Sequence, residues 1–286
     1  MAERLADIAA QIQNVRQLEA VVTAMRGIAA SRAQQGRSLL AAMKAYTEVI
    51  SGAIGEALRL VPADGSAPAH SRSSRSGLIL FCAEQGFAGA FSERVLDAAM
   101  PNIGGAIIFL VGTRGAAVAE ERSISPTWTT PMVTHVGGIP SFANRVADAL
   151  YQRVADGTVE DVDVVFSRSR PGGGMEIDRH SVLPVDLRRF ARPVLNQPPL
   201  LTLAPWVLLE RLASEYVYAQ LCEAAMHAFA AENEARMMAM AAAKTNVESK
   251  LARLLQREHQ LRQKEITTEI IELTAGAEAL SSGAAL

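Results

Sequence analysis

A glycine-bearing loop, GFAGAF at residues 86–91, lies between a predicted strand and a predicted helix. Loops at this place in an α/β fold can hold phosphate groups through their backbone N–H groups. The loop does not match the dinucleotide fingerprint G-x-G-x-x-G, and no acidic residue falls at a convincing ribose position. A Gly-Lys phosphate loop is also missing, since the four lysines follow Met43, Ala243, Ser249 and Gln263. The sequence therefore favours a tight turn over a nucleotide site.

Other side chains that could do chemistry show no catalytic or metal-binding spacing. The five histidines are at positions 70, 135, 180, 227 and 259, and none belongs to a pattern such as H-E-x-x-H. No serine, cysteine or threonine occupies a recognisable nucleophile elbow. Without a secretory signal, Cys82 and Cys222 are expected to be free thiols in a reducing compartment. We expect no catalytic residue, cofactor or metal in this chain.

The composition limits the classes of partner. The chain has 286 residues, a net charge of −2, 49% hydrophobic and 20% charged residues, which is typical of a soluble, ordered protein. A nucleic-acid-binding protein usually carries a concentrated basic patch, and we expect no nucleic-acid partner. No apolar run approaches the roughly 18 residues of a spanning helix. Membrane contact is therefore expected only through partners.

The positions of the prolines divide the chain into three parts. All twelve lie between Pro62 and Pro205, so both ends are free of the residue that most strongly breaks helices. The N-terminal part has apolar residues at helical spacing. These residues are Leu5, Ile8, Ile12, Val15, Leu18, Val22, Met25 and Ala29.

The C-terminal part has a 3.5-residue repeat that runs from Leu212 to Leu261, about seven heptads, and predicts a coiled coil. Four positions of this seam are polar, which either fixes the helix register or marks stretches that face something other than the partner helix. They are Glu223, Asn233, Lys244 and Glu258. If the two helices pair with Leu60 opposite Trp206, residue 5 stands opposite residue 261. Beyond that level the C-terminal helix has no partner within the chain.

The middle part alternates short β-rich runs with helical segments. The predicted strands are 77–82, 105–112 and 161–168, and the predicted helices are 91–100, 113–122 and 141–157. This alternation indicates βαβ units with a mostly parallel sheet, followed by a hairpin that turns at PGGG into an edge strand.

The predicted fold class is therefore α plus α/β: a long antiparallel coiled coil of N- and C-terminal helices with an inserted Rossmann-like α/β domain. The predicted parts are an N-terminal coiled-coil helix (1–61), a linker (62–76), the α/β domain (77–200), and a C-terminal coiled-coil helix with its tip (201–286).

This plan and several motifs resemble the γ subunit of F-type ATP synthases. The family motif I/V-T-x-E-x-x-D/E-x-x-x-G-A is matched near the C-terminus, with Arg-Gln just upstream and Ala-Arg-Met earlier. The matching residues are Ile266, Thr267, Glu269, Glu272, Gly276, Ala277, Arg262, Gln263, Ala235, Arg236 and Met237. TAMRGIAASR at the amino end is similar to the family's KAMKMVAASK, and VGTRGAAV to its V-G-x-K-G.

The resemblance implies a divergent bacterial rotor subunit, without catalytic residues of its own, that transmits torque between a membrane c-ring and a catalytic head. It implies as partners the α and β subunits of the head, the ε subunit and the c-subunit ring, at the cytoplasmic face of the bacterial inner membrane. The implied head-contact residues are Met25, Arg26, Arg236, Arg262, Gln263, Thr267, Glu269, Glu272 and Gly276. The implied residues on the c-ring side are Leu201, Thr202 and Leu203.

Two alternatives stay open at this point. One is a static coiled-coil scaffold, which predicts a homo-oligomer formed through the long helices. The other is a nucleotide-dependent enzyme that uses the α/β domain, which predicts a stoichiometric nucleotide complex.

Overall fold

The computed structural model describes residues 5–61, 76–170, 174–191 and 200–283, with side chains described up to residue 275. The proline-free ends form two long helices, α1 (Leu5–Leu60) and α5 (Pro205–Gly283). The chain forms two compact units, which we call the sheet unit (residues 28–237) and the helical unit (residues 1–27 and 238–286). Each long helix contributes residues to both units.

A five-stranded sheet forms the centre of the sheet unit. Its strands are β1 (Ser76–Phe81), β2 (Ile107–Val111), β3 (Trp128–Thr130), β4 (Asp161–Ser169) and β5 (Met175–Leu183). The order is β3-β2-β1-β4-β5, and all pairs are parallel except β4 with β5. The predicted fold class, a Rossmann-like domain with an antiparallel edge strand inserted between two long helices, is confirmed.

Helices cover both faces of this sheet. They are α2 (Phe91–Ala99), α3 (Thr113–Glu121) and α4 (Ile139–Ala155), with short 3₁₀ turns at Met100–Asn102, Val136–Gly138 and Leu187–Arg189. Successive residues of a strand point to opposite faces. Leu78 and Leu80 of β1 accordingly belong to the core formed with α2 and α3, whereas Ile79 and Phe81 belong to the core formed with α4 and α5.

One strand, β3, was not predicted from the sequence. β3 has three residues and lies between Pro126 and Pro131, so it offers no run long enough to show a β period. The predicted hairpin is present as β4 and β5, but Pro171 and the two glycines after it at its tip lie outside the described residues. The predicted linker also lies outside them except for Ser76, which begins β1. The predicted domain bounds stay a prediction.

Within the sheet unit, α1 and α5 pack closely because small residues meet at their contact. A Cβ atom added to Gly36 would lie 3.0 Å from the Cβ of Ala230 and 3.2 Å from the ring of Phe229. In two antiparallel helices, the position numbers of residues that face each other add up to a constant. Gly36 and Ala230 give the same sum as the predicted pair Leu60 and Trp206. The antiparallel register predicted from the sequence is therefore the one observed in this unit.

In the helical unit, the predicted seam of α1 is buried at Ile8, Ile12, Val15 and Val22. Leu18 is an exception, because its side chain is 50% exposed. The half-buried residue at this level is Glu19, which keeps the heptad spacing from Val15 to Val22. The seam position assigned to Leu18 was therefore wrong by one residue.

The predicted α5 seam is buried or half-buried at every position from Leu212 to Leu261. Burial of its side chains ends there, since every described side chain from 262 to 275 is exposed. Among the described residues, no helix has the length and apolarity that crossing a bilayer requires.

The contact at Gly36 yields a stability prediction with a matched control in the same helix. Gly36→Leu should lower the free energy of unfolding by about 1–3 kcal/mol, because the side chain would collide with Ala230. Gly52→Leu should raise it by up to about 1 kcal/mol, since no atom lies within 4 Å of that site and leucine is a better helix former. Urea unfolding of the two variants measures both effects. Equal changes would show that Gly36 does not set the helix contact.

A half-buried histidine, His227, yields a pH prediction. Burial, with Arg168 nearby, lowers the pKa of His227 from 6.5 to about 4. The unfolded chain then binds a proton at higher pH than the folded chain, so stability falls as the pH drops from about 6.5 towards 4. His227→Gln should reduce this loss relative to the unchanged chain, as measured by urea unfolding at neutral and acidic pH. The exposed His259→Gln serves as the control and should leave the slope unchanged.

Candidate functional site

The loop that follows β1 is held by a carboxylate from α5. Oε2 of Glu232 accepts a hydrogen bond from the backbone N–H of Glu84 at 3.2 Å, and Oε1 accepts one from that of Gln85 at 3.2 Å. Glu232 is only 4% exposed. The carboxylate thus occupies N–H groups at the carboxyl end of a central strand, where Rossmann-like folds bind phosphate.

Arg236, one helical turn further along α5, binds the carbonyl groups of the same loop. Its Nε donates to the oxygen of Gly86 at 3.0 Å, and its Nη2 to that of Gln85 at 2.9 Å. The guanidinium also donates to Glu232 and to Oδ1 of Asn233. The Glu232–Arg236 ion pair is buried, with side chains 5% and 7% exposed. Both charges are therefore paired and hydrogen-bonded.

Glu84, within the held loop, connects it to two further segments. Its carboxylate accepts from the backbone N–H and the hydroxyl of Thr113, at 3.0 and 2.9 Å, and from the backbone N–H of Met132 at 2.7 Å. Thr113 begins α3, so this carboxylate lies at a helix N-terminus, which favours negative charge. The N-terminus of α3, a second place that could attract an anion, is thus occupied by the carboxylate of Glu84.

Two glycines make the close approach of α3 to β1 possible. Gly112 has φ +107°, and a Cβ there would lie 2.5 Å from the carbonyl oxygen of Cys82. A Cβ at Gly115 would lie 2.0 Å from the Cβ of Cys82. These are the glycines of VGTRGAAV, so the motif serves close packing beside the loop. Burial raises the pKa of the Cys82 thiol to about 12, which keeps it protonated and unreactive.

A second candidate site is the exposed C-terminal stretch of α5. It carries the apolar side chains Ile266, Ile270, Ile271 and Leu273, which are 50, 56, 60 and 74% exposed. Several large apolar side chains exposed within a few turns of helix indicate an interaction surface.

The predicted polar residues of the stretch are exposed as well. Arg262 pairs with Glu258 at 2.8 Å on the surface, Gln263 is exposed, and the hydroxyl of Thr267 donates to the carbonyl of Gln263. Glu269 and Glu272 are exposed.

The other predicted site residues fall in different surroundings. Met25 is half-buried and Arg26 exposed in the helical unit, and Gly276 lies within α5. Leu201 and Thr202 are exposed and Leu203 is half-buried, just ahead of α5. Arg236 is buried and bonds to Glu232, Asn233 and the loop after β1.

Glu84 and Glu232 were not predicted as site residues from the sequence. One signal was available for Glu232: it stands four residues before Arg236, in a stretch otherwise rich in alanine and methionine. A Glu–Arg pair at this spacing lies on one helix face. Among the described residues, no cluster of three or more histidine, cysteine, aspartate or glutamate side chains could hold a metal ion.

A sequence model of the family described as ATP synthase matches residues 4–280. The chain therefore belongs to the ATP synthase γ-chain family. It is 27% identical to the ATP synthase gamma chain of Parafrankia sp. (strain EAN1pec), with 99% of this chain and 100% of that relative covered. It is 25% identical to that of Clavibacter sepedonicus, with 95% and 96% covered.

Solved structures share the fold. A chain of the Euglena gracilis mitochondrial ATP synthase, in the OSCP/F1/c-ring structure, superposes with a TM-score of 0.66 at 10% identity, covering 99% of this chain and 96% of that one. A chain of the Tetrahymena thermophila mitochondrial ATP synthase central stalk and c-ring gives 0.57 at 14% identity, covering 78% and 99%.

The exposure of the C-terminal stretch yields a prediction for the isolated chain. Ile270→Asp should change the free energy of unfolding by less than about 1 kcal/mol, because the side chain is already in water. Val247→Asp, in the buried seam of the same helix, should cost about 3 kcal/mol or more, because it buries an unpaired charge. Urea unfolding of both variants provides the measurement. A large loss at Ile270 would mean that the stretch packs on its own chain.

Proposed function

We propose that this chain is the central-stalk rotor subunit of an F-type ATP synthase. It transmits torque between a membrane c-ring and a catalytic head of α and β subunits, during ATP synthesis or ATP-driven ion pumping. Membership of the γ-chain family supports the proposal, as does the fold shared with chains of solved ATP synthase structures.

The observation that carries the proposal is the exposed end of α5. Seam burial ends at Leu261, and the described side chains beyond it, four of them large and apolar, face water. An apolar sleeve in the head would cover this surface while making few directional bonds, and a shaft that turns needs such a contact. The polar contacts would come from five residues of α5 and from Arg26 on α1, and Met25 would add an apolar contact. The five are Arg262, Gln263, Thr267, Glu269 and Glu272.

In this proposal the subunit is not itself an enzyme. Glu232 and Glu84 use the backbone N–H groups after β1 and at the start of α3 that a bound phosphate would need. This supports the proposal of a non-catalytic subunit over that of a nucleotide-dependent enzyme. Isothermal calorimetry that found a one-to-one ATP complex would favour the enzyme instead.

The remaining partners follow from the same proposal. The ε subunit and the c-ring would bind on the side of Leu201, Thr202 and Leu203, and contact with the membrane would run only through them. The complex would stand at the cytoplasmic face of the bacterial inner membrane.

Co-purification from cells that express the chain with its cognate α and β subunits tests the proposal. We expect one copy of the chain per head of six subunits. A stable homo-oligomer that excludes α and β would support the static scaffold. Deleting 281–286 should leave assembly intact, whereas a deletion that begins at Arg262 should impair it.

Two arginines of α5 provide a matched test of the head contact. Both are exposed, Arg262 paired with Glu258 and Arg253 bonded to the carbonyl of Ser249. In the assembled complex, Arg262→Ala should lower ATP-driven pumping about fivefold or more, as expected for an interface contact worth about 1 kcal/mol. Arg253→Ala should leave pumping within error of the unchanged complex. Equal effects of the two substitutions would remove Arg262 from the proposed contact.

A further inference from the structure

One turn of α5 holds the loop after β1 through both the N–H groups and the carbonyl groups of the loop backbone. Glu232 accepts from the N–H groups of Glu84 and Gln85, and Arg236 donates to the carbonyl groups of Gln85 and Gly86. Because the bonds run in both directions to successive peptide groups, the loop can neither slide along α5 nor rotate about it without breaking several of them.

The same loop connects the rest of the sheet unit to that turn. Glu84 binds Thr113 at the start of α3 and Met132 after β3. A continuous chain of charge-assisted hydrogen bonds therefore leads from α5 through the loop to two further segments at the carboxyl end of the sheet. Such bonds are shorter and stronger than neutral ones and impose a direction.

Other contacts of α5 with the sheet core include apolar packing. Val217, Leu221 and Phe229 pack in the cluster that contains Phe81 and Val164. Apolar burial is non-directional, so it holds surfaces together without fixing the angle between them. The polar contacts of Glu232 and Arg236 therefore supply the directional part of the attachment between the sheet and α5.

We propose that Glu232 and Arg236 are positioning residues, forming a joint that fixes the orientation of the α/β domain on α5 under load. This inference rests on the proposed rotor function, since only a part that carries torque needs such a joint. Burying an ion pair adds little stability compared with apolar residues of similar size. A role in orientation accounts for charges in this alanine-rich stretch.

The joint can be weakened by two conservative variants. Glu232→Gln keeps the size but turns one acceptor into a donor that faces backbone N–H groups. Arg236→Lys keeps the charge but loses the planar fork that reaches two carbonyl groups at once. Glu234→Gln is the matched control, because Glu234 lies on the same turn and pairs with the exposed side chain of Arg37.

Amide exchange of the isolated chain tests the geometry of the joint. The N–H groups of Glu84 and Gln85 should exchange about tenfold faster in Glu232→Gln, as expected for the loss of a charge-assisted hydrogen bond, while strand β2 stays protected. Unchanged exchange at these two amides would overturn the joint. Loss of protection throughout the sheet would also overturn it, because the pair would then serve folding and not orientation.

The assembled complex tests the function of the joint. With either variant, the ratio of ions pumped to ATP hydrolysed should fall at least about twofold, whereas a merely structural role would lower both rates together and leave their ratio unchanged. Glu234→Gln should keep the ratio of the unchanged complex. An unchanged ratio in both joint variants would refute the inference and leave the rotor proposal intact. If the unchanged chain supports no coupled pumping, the rotor proposal itself fails.

Discussion

The antiparallel packing of α1 against α5 is the contact on which the sheet unit depends. Gly36 and Ala230 allow the two backbones to approach, and larger side chains at this level would push the helices apart. Close packing brings the Arg37–Glu234 pair and the Tyr46–Glu215 hydrogen bond within reach across the two helices. The register of this contact then determines which α5 residues cover one face of the sheet and which hold the loop after β1.

The sheet unit resembles a nucleotide-binding fold in topology but uses its anion-binding groups differently. In a Rossmann domain the N–H groups after the first strand are free to donate hydrogen bonds to a phosphate. Here the carboxylates of Glu232 and Glu84 bind there, and the glycines nearby serve the close packing of α3 on Cys82. The place that binds a ligand in other folds of this topology becomes an attachment point between the sheet and a long helix.

The helical unit shows how a heptad repeat and an apolar surface can coexist in one helix. The α5 seam up to Leu261 is covered, whereas the isoleucines at 266, 270 and 271 are not. Exposed apolar side chains are costly in water, so their presence is better explained by a partner than by the stability of the chain alone. For a rotor, that partner has to be a surface against which the helix turns.

Much of the architecture could be predicted from the sequence, because it depends on local patterns. The heptad repeat, the distribution of prolines and the alternating β-rich runs are local features. The antiparallel register followed from placing Leu60, near the end of the first helix, opposite Trp206, near the start of the last one. The C-terminal motif indicated the family because its residues lie close together in the sequence at fixed spacing. The short strand β3 was missed because three residues carry no period, and Leu18 was assigned to the seam because an apolar residue stands beside the true position.

Only the tertiary structure decided the contacts of Arg236, Glu232 and Glu84. The family resemblance implies that Arg236 is a head-contact residue, but a charged residue in a sequence does not reveal its burial. The structure brings it to Gly86, 150 positions away in the chain, and pairs it with Glu232. Hydrogen bonds between such distant residues depend on the crossing of α5 over the end of β1, which no local periodicity encodes.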